Sequence, residues 1–119
     1  MTDATAQPDL TPEDRKLVTL ARATRARTGA AEGAAVRDSD GRTYAAATVD
    51  LHALQLSALQ VCVAMAVASG SKGLEAAVLL TDAGALTAPD RAAVLEFGGA
   101  GVVVHLGDAR GAIGATSTT

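Results

Sequence analysis

The spacing of hydrophobic residues switches between helical and extended periods along the chain. After ten polar, patternless residues, Thr11-Pro12-Glu13-Asp14 has the chemistry of a helix start: a hydroxyl to cap free amides, proline at the first helical position, and acids in the first turn. Leu17, Leu20 and Ala21 then fall on one face, and Arg22, Arg25 and Arg27 gather where a helix dipole favours cations, so a helix is predicted over residues 12–27. Two short extended runs, residues 33–37 and 42–49, flank Asp38-Ser39-Asp40-Gly41, and Asp-Gly between such runs signals a hairpin. Residues 54–69 carry no charge and are apolar nearly all round, which predicts a buried helix, closed by Ser69-Gly70-Ser71-Lys72-Gly73. A strand over 75–81 and a short helix over 89–97 follow. A strand over 101–106 is apolar enough to be covered on both faces, and a turn then leads to an edge strand over 112–118.

Strands alternating with helices imply an α/β domain of three layers, α/β/α, with a mixed sheet of four or five strands and helices on both faces. At 119 residues the chain suits one domain, residues 11–119, preceded by a flexible tail over 1–10. Hydrophobic residues make up 49% of the sequence but aromatics only 2%, so the core must be built from Ala, Val and Leu with close backbone approach. Ten Lys and Arg against 13 Asp and Glu give a net charge of −3, and no global field draws in nucleic acid or an anionic membrane. The lone Cys62 has no internal disulfide partner and no charged-then-apolar leader opens the chain, so a cytoplasmic protein is expected. Residues 51–71 lack charge, yet they include His52, Gln55, Ser57 and Gln60 and are rich in Ala, which argues against a membrane span.

Candidate chemistry is sparse. His52 and His105 are the only histidines, and His105, within a Val-rich strand, reads as structural. Cys62 sits mid-helix among Val61, Val63 and Met65 with no cation to activate it, which points to packing. Gly98-Gly99-Ala100-Gly101 follows a helix and precedes a strand, the reverse of a phosphate loop, and reads as a helix stop. No Ser/His/Asp or Cys/His nucleophile set stands at a recognisable spacing.

Read in order, Gly33-Ala34-Ala35-Val36-Arg37-Asp38-Ser39-Asp40-Gly41-Arg42-Thr43-Tyr44 and then Thr48-Val49-Asp50 resemble the cytidine deaminase pattern of V-G-A-A, hairpin, N-V-E. That family continues with C-A-E at the start of a buried helix, then P-C-x-x-C-R-Q-V-L-x-E-F. Here the corresponding stretches are Ser57-Ala58-Leu59-Gln60-Val61-Cys62-Val63-Ala64 and Asp90-Arg91-Ala92-Ala93-Val94-Leu95-Glu96-Phe97-Gly98. The resemblance spans roughly residues 11–106. Counting back from Arg91 and Phe97 places Asp90 on the second cysteine of the pair and Thr87 on the first. Counting back from Ser69-Gly70 places Ser57 on the ligand cysteine of the helix and Leu59 on the glutamate, with a gap of about two residues before Ser57.

The resemblance implies a chemistry these residues do not supply. Zinc held by three Cys or His ligands turns water into hydroxide for attack on the pyrimidine ring, and a non-ligand glutamate moves the proton. The metal lowers the pKa of water from about 15.7 to about 7. Neutral hydroxyls at Ser57 and Thr87 are poor zinc ligands, which leaves Asp90 as one plausible ligand of three. Leu59 moves no proton, and loss of a positioned acid/base typically costs about 10²–10⁴ in rate. With one cysteine in the chain, a P-C-x-x-C pair is excluded under any alignment.

The expectation is therefore a cytidine deaminase-like protein that has lost zinc-dependent deamination and retains a binding or assembly role, with no intact catalytic residues and no cofactor. The alternative is an active cytidine or deoxycytidine deaminase using atypical zinc ligands. In the family the Asn and Glu of N-V-E bind ribose, so Thr48 and Asp50 are the candidate substrate-binding residues for a nucleoside or other small molecule. Asp50 reads equally as a helix start or a solvated loop residue. The uncharged helical face, and the tetramers the family forms, imply a homo-oligomer, dimer or tetramer.

Overall fold

The computed structural model describes residues 9–119. The first helix, α1 (Pro12–Thr28), begins as its sequence dictates: the Thr11 hydroxyl accepts from the Asp14 amide at 3.0 Å, and Pro12 needs no amide partner in the first turn. It ends at Gly29, whose left-handed φ of 67° lets its N–H reach the Arg25 carbonyl at 2.9 Å. The predicted hairpin follows as β1 (Gly33–Asp38) and β2 (Thr43–Ala47), antiparallel with Ala35 opposite Ala45.

The expected second strand over 42–49 is shorter and breaks in two. Beyond Ala47 the chain leaves the main sheet and forms β3 (Val49–Asp50), paired with β4 (Gln55–Leu56) in a separate two-stranded ladder. Asp50 thus lies in a strand and starts no helix. The expected helix over 54–69 begins only at Ala58, because residues 55–56 are drawn into β4 and Ser57 caps the first turn of α2 (Ala58–Ala68). After it come β5 (Leu74–Leu80), α3 (Ala88–Gly98), β6 (Val103–Gly107) and β7 (Ile113–Thr118).

The main sheet has five strands in the order β2-β1-β5-β6-β7. Only β5 and β6 run parallel, as a crossover through α3 requires, while every other neighbouring pair is antiparallel. The sheet is mixed, and β7 takes the expected edge position.

Alternation along β5 shows how both faces are covered. From Ala76 on, Ala77 and Leu79 join a cluster with Leu59, Cys62 and Ala66 of α2 and Val94 of α3, whereas Ala76, Val78 and Leu80 join Leu17 and Ala21 of α1; Leu74, beyond an irregularity in the β1–β5 register, joins the first cluster. The α/β/α layering inferred from element order is therefore present, with α1 on one face and α2 and α3 on the other. Leu10 is buried in the α1 cluster, while residues 1–8 of the expected tail lie outside the described residues. Small side chains bring α1 close to the sheet. A Cβ on Gly33 would fall against the Ala21 carbonyl oxygen and within 2.7 Å of Arg25 Cβ. Among the described residues no helix is long and apolar enough to cross a membrane.

Candidate functional site

Two helix N-termini meet on the side of the sheet away from α1. Ser57 precedes α2 in extended conformation and forms a capping box: its Oγ accepts from the Gln60 amide at 3.1 Å, and Gln60 Oε1 accepts from the Ser57 amide at 3.0 Å. Thr87 caps α3 in the same manner, accepting from the Asp90 amide at 3.3 Å. Asp90 is thereby fixed in the first turn of α3, only 1% exposed, and its Oδ1 accepts from Ser57 Oγ at 2.5 Å. Its Oδ2 is buried with no hydrogen-bond partner among the described residues.

Glu32, just before β1, continues this polar line. Its Oε1 accepts a long bond of 3.5 Å from the Ala58 amide at the start of α2, and its own amide donates to Thr48 Oγ1 at 2.9 Å. Sequence reading did not single out Glu32. The available signal was an isolated acid directly before an apolar strand start at Gly33.

Hydrogen bonds thus link Thr48 to Glu32, Glu32 to the amide of Ala58, the neighbour of Ser57, and Ser57 and Thr87 to Asp90. Two other candidates stay out of these contacts. Leu59 is fully buried in the apolar cluster. Asp50 is exposed on β3, and its carboxylate forms no hydrogen bond or ion pair among the described residues.

The remaining candidates are structural. Cys62 is fully buried, and burial, offset only in part by the backbone of Ala46, pushes its thiol up to about 12. His105 faces α1, on the opposite side of the sheet from the Ser57–Asp90 pair. Its Nε2 contacts Asp14 Oδ2 at 2.8 Å and its Nδ1 contacts Thr116 Oγ1 at 2.8 Å. Arg37 completes that cluster, 3.0 Å from both Asp14 and Glu75. Burial raises the Asp14 pKa, but hydrogen bonds from His105 and Arg37 and the charge of Arg37 hold it below its ordinary value. His52 is exposed in the β3–β4 turn.

The donor set at the helix junction does not fit zinc. Ser57 and Thr87 offer neutral hydroxyls whose lone pairs already accept backbone amides, and one oxygen of Asp90 is taken by Ser57. Among the described residues no group of three His, Cys, Asp or Glu side chains is placed to hold a metal ion.

A mixed five-stranded sheet with one helix on one face and two on the other is an α/β/α fold shared with solved cytidine deaminase structures. The family model "Cytidine deaminase-like" matches residues 10–111, and the chain belongs to that family. A cytidine deaminase from Burkholderia pseudomallei superposes with a TM-score of 0.77 at 20% identity, covering 92% of this chain and 93% of that one. One from Mycobacterium leprae gives a TM-score of 0.71 at 20% identity, covering 92% and 94%. One from Mycobacterium tuberculosis gives 0.67 at 24% identity, covering 81% and 85%. At these identities the likeness is one of fold. No curated protein sequence matches the chain.

Proposed function

We propose that this chain is a cytidine deaminase-like protein without zinc-dependent hydrolytic deamination, acting as a binding or assembly module. The observation that carries this reading is the side-chain set at the α2–α3 junction. Ser57, Thr87 and Asp90 are bonded to each other or to the helix ends, with no thiolate or imidazole among them. We read Ser57, Thr87 and Asp90 as the places that metal ligands hold in active relatives, and Leu59 as the place of the proton-moving glutamate. Leu59 lies in the apolar core, so the junction offers no group there to carry a proton.

Ligand binding does not depend on the lost steps. The carboxylate of Asp50, which has no partner among the described residues, is open to accept from a hydroxyl-bearing molecule such as a nucleoside, whereas the Thr48 hydroxyl is engaged by the Glu32 amide. The reading takes residues 11–119 as one domain. It places the protein in the cytoplasm, where a single buried thiol meets no oxidising demand.

Metal analysis and activity together test it. Protein purified without chelator is expected to hold only trace zinc and to form no uridine from cytidine or deoxyuridine from deoxycytidine. Near-stoichiometric zinc with turnover of either nucleoside would overturn the reading and establish an enzyme with atypical ligands.

A further inference from the structure

We propose that the Ser57–Asp90 pair is a metal-free clasp in which a buried carboxylate in the first turn of α3, held by the hydroxyl that caps α2, ties the two helix N-termini together. The inference rests on the reading of the junction as lacking metal, and it says what holds the junction together instead.

Carboxylates stand at both helix ends. Each helix N-terminus carries about half a positive elementary charge, which favours an acid beside it. Helix α2 has no acid in its own first turn, but Glu32 Oε1 reaches its Ala58 amide at 3.5 Å, whereas α3 carries Asp90 in its first turn. Asp90 also bonds across the junction, through Ser57, the cap of α2.

The hydrogen-bond directions agree. Ser57 Oγ already accepts from the Gln60 amide, so its own proton is free to point at Asp90 Oδ1. The pair is in close contact, with Ser57 as the donor and Asp90 as the acceptor. A carboxylate as deeply buried as Asp90 is rare unless its charge is matched, and among the described residues Oδ2 has no donor of its own, which leaves that matching to Ser57 and the N-terminus of α3.

Thermal unfolding of the full chain, with and without EDTA or added zinc, tests the clasp in the wild type and in Asp90→Asn and Ser57→Ala. The wild-type Tm is expected to be the same in all three solutions. Asp90→Asn removes the charge and keeps the shape, and is expected to lower Tm by at least about 4–8 °C. Ser57→Ala removes the donor and leaves the charge, and is expected to lower Tm by less. If Asp90→Asn fails to fold, Ser57→Ala decides. A zinc-free protein in which either variant melts with the wild type overturns the clasp alone. Bound zinc, with a Tm that EDTA lowers, overturns the clasp together with the reading it rests on.

Discussion

Asp38 closes β1 with its carboxylate fully buried, and its neighbours set how the protein responds to acid. Ser71 Oγ donates to Oδ2 at 2.6 Å, the amides of Asp40 and Arg42 donate to Oδ1 at 2.9 Å, and the Arg42 guanidinium and Tyr44 hydroxyl reach Oδ2 at 3.1 and 3.3 Å. Burial alone raises the pKa, but these bonds and the Arg42 charge outweigh it and bring it from 3.8 to about 2. Because the folded value lies below the unfolded one, the contribution to stability is complete above the ordinary carboxylate range and is lost as pH falls through it toward 2. Denaturation at neutral pH is expected to show Asp38→Asn destabilised by about 1–3 kcal/mol. The variant's stability is also expected to fall less than the wild type's between pH 4 and pH 2. A variant with an unchanged acid limb would place the titration elsewhere.

In the sequence, Asp38 is legible only as a hairpin residue, since Ser71 lies 33 positions away and is brought in by tertiary packing. The same holds for Ser57 and Asp90, also 33 apart. The resemblance to the family's motifs sets both against ligand positions as an expectation, but no local pattern shows that they bond to each other.

At the scale of elements, α1 lies against β1 with no room to spare. Gly33 carries no Cβ at the point where the Ala21 carbonyl approaches. Gly33→Ala is therefore expected to cost about 1–3 kcal/mol, as overpacking does, read as a lower midpoint of chemical denaturation. An unchanged midpoint would mean that α1 gives way. Helix boundaries marked by capping residues were legible to within about two residues, because Thr11, Pro12 and Gly29 act locally. The start of α2 was not. Residues 54–56 share the apolar, uncharged composition of the helix after them, so only the pairing of β4 with β3, a tertiary event, separates the two.

At the scale of the molecule, apolar side chains remain uncovered on the side away from α1. Val67 of α2 is 52% exposed and Leu95 of α3 44%, while Leu51 and Leu54, in the β3–β4 turn, are 60% and 49% exposed. We propose that this side is covered by further copies of the chain in a dimer or tetramer. Light scattering at micromolar concentration is expected to give a mass of two or four chains for the wild type and a lower mass for Val67→Lys. A monomeric wild type would remove the proposal. The charge-free helix showed in the sequence that α2 has too little polar surface for a solvated helix. It did not show which of its faces the sheet leaves open.

Tyr44 is the sole tyrosine of a chain without tryptophan, and its hydroxyl sits 3.0 Å from Ser71 Oγ and 3.3 Å from Asp38 Oδ2. Intrinsic fluorescence and absorbance near the tyrosine band therefore come almost entirely from one ring beside one buried carboxylate. An optical melt of this protein watches the β1–β2 corner open, and a global unfolding curve needs a backbone probe alongside it.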